Sequence, residues 1–243
     1  MSWKNIWNKR TIKNLNVENE DILTKLFILD GYDRDSNTMN NESFNQHINN
    51  IVNTLKLTKN DTVFEVGCGA GAILYALKDK VKLVGGCDQA KNLIKIAKKY
   101  LNDDSIKPCI FESEALNFNE SIINPINNNN KYDHLISVSV FHYFPNMTYA
   151  QVVIDYMLKY ANKSIGIYDI PNKDTKYKDV QNRINLSGGL EYYKKYNELP
   201  HLYYSQSFWN EIADFYNLKI DIIRQNISEY DNSNYRYNVI LTK

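Results

Sequence analysis

From Asn41 to Leu57 the chain reads NESFNQHINNIVNTLKL, and Phe44, Ile48, Ile51, Val52 and Leu55 fall on one side of a helical repeat. That spacing predicts an amphipathic helix, and residues 1–58 together read as a helical N-terminal cap. Beyond Asn60 the pattern changes. TVFEV (62–66), VKLVGGC (81–87), KPCIF (107–111), DHLISVSV (133–140) and SIGIYD (164–169) are short apolar or β-branched runs. Stretches with helical spacing separate most of them, as at Leu93, Ile94, Ala97, Tyr100 and Leu101. Strands alternating with helices predict an α/β fold with a parallel sheet, right-handed crossovers and helices on both faces.

The end of the chain departs from this alternation. LKIDIIRQNI and YRYNVILTK are joined by SEYDNSN, a turn-rich link too short for a crossover helix, so the last strand is expected to run antiparallel to its neighbour. Residues 171–205, after the fifth strand, read as a substrate-binding insert. NPINNNNKYD reads as a low-complexity surface loop before the fourth strand. No internal repeat is visible, and the whole of 1–243 is expected to form one domain.

Charge narrows the partners. The 29 basic residues nearly cancel the 28 acidic ones, so no overall field draws in a polyanion or an anionic membrane surface. A small-molecule partner is expected, with no nucleic acid and no membrane, and nothing in the pattern fixes an oligomeric state. No apolar run approaches the roughly 20 residues that span a bilayer. MSWKNIWNKR lacks the apolar core and cleavage site of a secretory signal, and Cys68, Cys87 and Cys109 have no metal-type spacing. The expectation is a cytoplasmic protein with reduced core thiols and no metal.

The chain has 9 glycines, and three of them, Gly67, Gly69 and Gly71, stand at alternate positions between the first strand and the helix after it. That is the carboxyl edge of the sheet, where open α/β folds bind ligands, and a bare backbone there can turn tightly and lie against a bound molecule. A dinucleotide site would need G-x-G-x-x-G and a helix N-terminus aimed at pyrophosphate. Here the spacing is G-x-G-x-G, with Glu65 just ahead of it, and a carboxylate repels phosphate and attracts a cation. Asp88 closes the second strand, where its oxygens can accept both hydroxyls of a ribose. Glu114, after the third, can accept the amine of an adenine. Ribose, adenine and a positive group without phosphate describe S-adenosylmethionine.

In VFEVGCGAG, GGCDQAKNLIKIAKK, ESEALNF and YDHLISVSVFHYFPN, followed by the terminal hairpin, the chain resembles the class I S-adenosylmethionine-dependent methyltransferases that act on small molecules. The resemblance covers roughly residues 60–170 and 218–242. It implies a Rossmann-like, seven-stranded, mostly parallel sheet. It implies that Glu65, Gly67, Gly69 and Gly71 shape the methionine pocket, that Asp88 and Gln89 hold the ribose and that Glu114 and Ala115 flank the adenine. Ser137 and Ser139, at the end of the fourth strand, would face the sulfonium. Val138 is a departure, since many relatives carry Asn or Asp there.

A sulfonium already activates the methyl group, so the chain has mainly to align an acceptor and exclude water. A base is needed only for an acceptor that holds its proton at neutral pH, and His142 is the candidate; a histidine there would equally serve as a helix cap or backbone partner. Tyr32, Asp33, Tyr143, Asp169, His201, Tyr203 and Tyr204 are the substrate-facing candidates, and the tyrosines would serve equally as lid core. The expected function is methyl transfer to a small acceptor, O-methylation ahead of N-methylation. The alternative is a non-catalytic S-adenosylmethionine-binding pseudoenzyme or regulatory subunit. The N/D-P-P-Y motif of nucleic-acid methylation and the paired-glutamate hairpin of arginine methylation are missing, and Asp169 alone is too little for a metal-dependent transfer.

Overall fold

The computed structural model describes residues 2–32, 39–101, 109–117, 131–186, 189, 194 and 199–243. Asp33 and residues 124–130 of the low-complexity run lie outside the described residues, as does most of 187–198 within the insert.

Three helices precede the sheet: α1 (Trp3–Asn8), α2 (Ile22–Leu29) and α3 (Asn41–Leu55). Each starts at a polar residue whose side chain accepts an otherwise orphaned amide: Ser2 from Asn5, Asp21 from Thr24 and Asn40 from Ser43. The periodic residues Phe44, Ile48, Ile51 and Leu55 are the buried face of α3.

The strands are β1 (Thr62–Val66), β2 (Leu83–Asp88), β3 (Cys109–Glu112), β4 (Tyr132–Val138), β5 (Ala161–Pro171), β6 (Lys219–Arg224) and β7 (Arg236–Thr242). They form one seven-stranded sheet in the order β3-β2-β1-β4-β5-β7-β6. β1 to β5 pair in parallel, and β7 runs antiparallel between β5 and β6, as the short link before it requires. The crossover helices include α4 (Ala72–Leu77), α5 (Lys91–Leu101) and α6 (Met147–Tyr160). α7 (Lys176–Leu186) lies in the insert, and α8 (Gln206–Tyr216) leads to β6.

Each face of the sheet has its own core. One gathers Leu26, Phe27, Phe44, Ile48, Leu74, Leu93 and Ile94 from the N-terminal helices, α4 and α5. The other gathers Val153, Ile154, Met157, Trp209 and Ile212 from α6 and α8. β1 is central and buried at every residue, so Glu65 is a carboxylate inside a fully buried strand.

The insert is tied at its ends. Tyr204 donates its amide to Pro171 O, Lys173 donates to Tyr204 O, and the two branches form a β-bridge at Asn172 and Tyr204. Beneath it Asp179 is fully buried and bonds Arg236 Nη1 (2.9 Å), Arg183 Nε (3.0 Å) and the Tyr203 hydroxyl (2.6 Å). This cluster fastens α7 to β7.

Candidate active site

A cavity of about 640 Å³ opens at the carboxyl edge of β1, β2 and β4. Its floor is the glycine turn. The amides of Gly67 and Cys68 both donate to Cys87 O, which curls the chain back over β2. Gly67 has φ +83° and Gly69 φ +53°, in the left-handed region that favours glycine. A Cβ at Gly67 would collide with the Val140 side chain. One at Gly69 would strike the carboxylate of Asp30.

Asp30, the residue after α2, spans the same turn and accepts from Ala70 N and from Ala72 N (3.0 Å). Asp88 accepts from Gly69 N (3.1 Å) and Ala90 N (2.7 Å), so one side chain joins the glycine turn to the start of α5. Both open on the cavity. Glu65 is 2 % exposed, and its Oε2 has no hydrogen-bond partner among the described residues.

Three carboxylates thus line one cavity. Burial raises Asp30 to about 7, against the pull of the Ala70 and Ala72 amides. Burial, then the neighbouring Asp30 and Asp88, pushes Glu65 well up. Burial also raises Asp88, against its two amide bonds. Crowded carboxylates of this kind stabilise a cation in their midst. Further along the wall Glu114 lies 3.7 Å from Lys4, both half-exposed, and Gln89 and Ala115 complete this end.

The opposite wall is aromatic. Trp3 and Trp7 of α1 lie 4.6 Å and 5.5 Å from Tyr143, ring centre to ring centre. Phe144, Tyr149, Leu199 and Pro200 continue it. Between the two walls runs a chain of hydroxyls. Tyr32 Oη lies 2.9 Å from Ser139 Oγ, and Ser139 donates to Asp169 Oδ2 at 2.8 Å. Asp169 also accepts from Gln225 Nε2 (2.8 Å) and Tyr230 Oη (3.1 Å), with Arg236 Nε at 3.6 Å. Ser139 and Asp169 have φ +57° and +61°, strained values for non-glycine residues of the sort that clusters at functional sites.

Glu65, Gly67, Gly69, Asp88, Gln89, Glu114, Ala115, Ser139, Tyr32 and Tyr143 all line this cavity. Seven expected site residues do not, and each has a local cause; Tyr203, for one, gives its hydroxyl to Asp179. Gly71 caps α4 with φ +89°, and a Cβ on it would run into Leu101 and Ala97 of α5. Ser137 turns inward and donates to Val66 O. His142 sits in a one-turn 3-10 helix, Phe141–Tyr143, where successive side chains diverge, so Tyr143 takes the wall and His142 packs behind it. Burial, then Arg236 and Arg183, holds His142 well below its ordinary value. His201 lies 4.7 Å from His142 and 5.4 Å from Tyr143, in the same second layer. Asp169 stands behind Ser139. Tyr204 is core, its hydroxyl donated to Phe141 O.

Asp30, Trp3 and Trp7 were not anticipated. The N-terminal helices carry no motif, and the one hint was an acidic residue closing an apolar helical run before Gly31, itself at φ +93°.

Residues 63–159 match the family model described as a methyltransferase domain. The fold resembles the magnesium protoporphyrin IX methyltransferase of Synechocystis PCC 6803 with bound S-adenosylhomocysteine (TM-score 0.56, 18% identity, 82% of each chain). It also resembles the N-methyltransferase NodS of Bradyrhizobium japonicum WM9 (TM-score 0.56, 12% identity, 84% of this chain and 98% of that one). A comparison with curated proteins gives no match. The chain therefore carries a methyltransferase domain, matched over residues 63–159, which makes it an enzyme with S-adenosylmethionine as its cofactor. The acidic cavity, with the partnerless Glu65 Oε2, fits that positively charged nucleoside. No helix among the described residues is long and apolar enough to cross a membrane.

Proposed function

We propose that the chain methylates a small acceptor that carries no net negative charge, a hydroxyl oxygen ahead of an amine nitrogen. The observation that carries this is the division of one cavity into a carboxylate end and an aromatic end. In this reading Glu65, Gly67 and Gly69 receive the methionine half of S-adenosylmethionine, Asp88 and Gln89 the ribose, and Glu114 and Ala115 the adenine. Trp3, Trp7 and Tyr143 receive the acceptor, by ring stacking or by a cation–π contact. Lys4 is the one cationic residue on the described wall, and it lies beside Glu114. An anionic acceptor would therefore meet carboxylates without compensation. The near balance of basic and acidic residues also speaks against nucleic acid. Buried, unpaired Cys68 and Cys87 suit a reducing cytoplasm.

When bound, the cofactor supplies a methyl group activated on a sulfonium. The chain's own residues orient the acceptor, exclude water and take its proton. Tyr32 Oη is on the wall, and the chain Tyr32–Ser139–Asp169 leads away from it in one direction, each hydroxyl donating to the next oxygen. An acceptor hydroxyl that gives its proton to Tyr32 Oη passes one proton along, and Asp169 Oδ2 receives it. This route replaces His142, which is behind the wall.

The test is methyl transfer from S-adenosylmethionine labelled in its methyl group, with neutral phenols and alcohols, amines, aromatic carboxylates, phosphate esters and RNA as acceptors. Transfer to an uncharged aromatic hydroxyl is expected. Preferred turnover of a carboxylate, a phosphate ester or RNA would contradict the proposal.

A further inference from the structure

We propose that Asp30, carried by the N-terminal helical segment, forms with Glu65 the binding site for the α-ammonium group of the cofactor's methionine half. The inference rests on the assignment of the cavity's acidic end to S-adenosylmethionine. Asp30 lies directly over Gly69, close enough that a Cβ there would strike it, and its bonds to Ala70 and Ala72 fix both carboxylate oxygens against the turn. Each oxygen keeps a second lone pair. Glu65 Oε2, buried in the same wall, has no partner among the described residues. No ion pair joins either carboxylate to a cationic side chain among them; Arg10, the cation whose charge acts on Asp30, donates to Leu29 O and Ile28 O.

Two carboxylates facing one space without a cation are costly, and an ammonium with three donors relieves both at once. The cofactor's other cation, the sulfonium, has to face the acceptor wall at the end of β4. The ammonium is the group left for the glycine turn. Because Asp30 follows α2, cofactor recognition reaches outside the matched domain segment, which begins at residue 63.

Calorimetric titration of the parent and Asp30→Asn with S-adenosylhomocysteine and with its deamino analogue, in which the α-amino group is replaced by hydrogen, tests this. The parent is expected to prefer S-adenosylhomocysteine by about ten- to a hundredfold, the range of a charge-assisted hydrogen bond. Asp30→Asn is expected to lose most of that preference while binding the deamino analogue about as the parent does. If Asn disturbs the turn, Asp30→Ser, which likewise removes the carboxylate, takes its place in the same comparison. A variant that keeps the parent's preference would overturn the proposal. So would an equal loss of both ligands, which would make Asp30 a support for the turn alone. A parent that bound neither nucleoside would remove the underlying assignment and the inference with it.

Discussion

Gly67 holds φ +83° against the Val140 side chain, so any Cβ there meets both backbone strain and a collision. Gly67→Ala is expected to lower stability by about 1–3 kcal/mol, the usual cost of such a backbone, and to weaken S-adenosylhomocysteine binding at the same time. Urea unfolding and calorimetry on one preparation check both, and a variant as stable and as tight-binding as the parent would contradict the role given to the turn. The proton route divides the residues differently. Ser139→Ala and Asp169→Asn are expected to slow transfer to a hydroxyl acceptor by about 10²–10⁴-fold, the ordinary range for a lost acid–base group. His142→Gln is expected to cost far less, because the side chain sits behind Tyr143. A ranking in the opposite order, measured in single-turnover assays, would restore His142 as the base.

At the scale of elements, α1 serves the site from the margin of the core, against which Trp7 packs. It has no fully buried residue, yet Trp3, Lys4 and Trp7 line the cavity. Deleting residues 2–8 is expected to lower the melting temperature only modestly, by the loss of Trp7 packing, while slowing methyl transfer strongly, since one wall of the acceptor region is removed. A steep fall in melting temperature would show that α1 is structural instead. The Asp179 cluster behaves in the reverse way: Asp179→Ala takes from Arg236, 1% exposed at its side chain, its hydrogen-bonded carboxylate and leaves it Asp169 at 3.6 Å. An unpaired buried charge costs about 3–5 kcal/mol; with Asp169 still in reach the loss is expected below that range, and a denaturation midpoint would register it. The strands and the glycine turn were legible in the sequence because period-two apolar runs, short links and alternating glycines are local signals. β1 coincides with TVFEV, and Asp88 and Glu114 follow from strand ends. Asp30, Trp3 and Trp7 were not legible, because their roles depend on how the first helices fold back over a turn forty residues later. Tyr204 and His142 were misplaced for the complementary reason: position near a strand end does not say which way a side chain points.

For the whole molecule, the carboxylates link cofactor binding to pH. Burial holds Asp30, Glu65 and Asp88 all above their ordinary values, Asp30 at about 7. A bound cation favours their ionised forms. Affinity for S-adenosylhomocysteine, which keeps the ammonium, is therefore lowest where they are protonated and rises with pH through the Asp30 titration at about 7. His47, His134, His142 and His201 are shifted the other way by burial, but none lines the cavity, so they affect free and bound protein alike. The rise in melting temperature produced by S-adenosylhomocysteine is expected to be larger at pH 7.5 than at pH 5.5, conditions chosen to bracket that range. A shift that is the same at both, or larger at the lower pH, would contradict the linkage. The most direct test of the account is a crystal structure with S-adenosylhomocysteine bound. It predicts the ribose on Asp88, the adenine beside Glu114 and the amino group between Asp30 and Glu65, with the sulfur turned toward Ser139 and Tyr143. A nucleoside bound elsewhere, or one with its amino group directed away from both carboxylates, would contradict it.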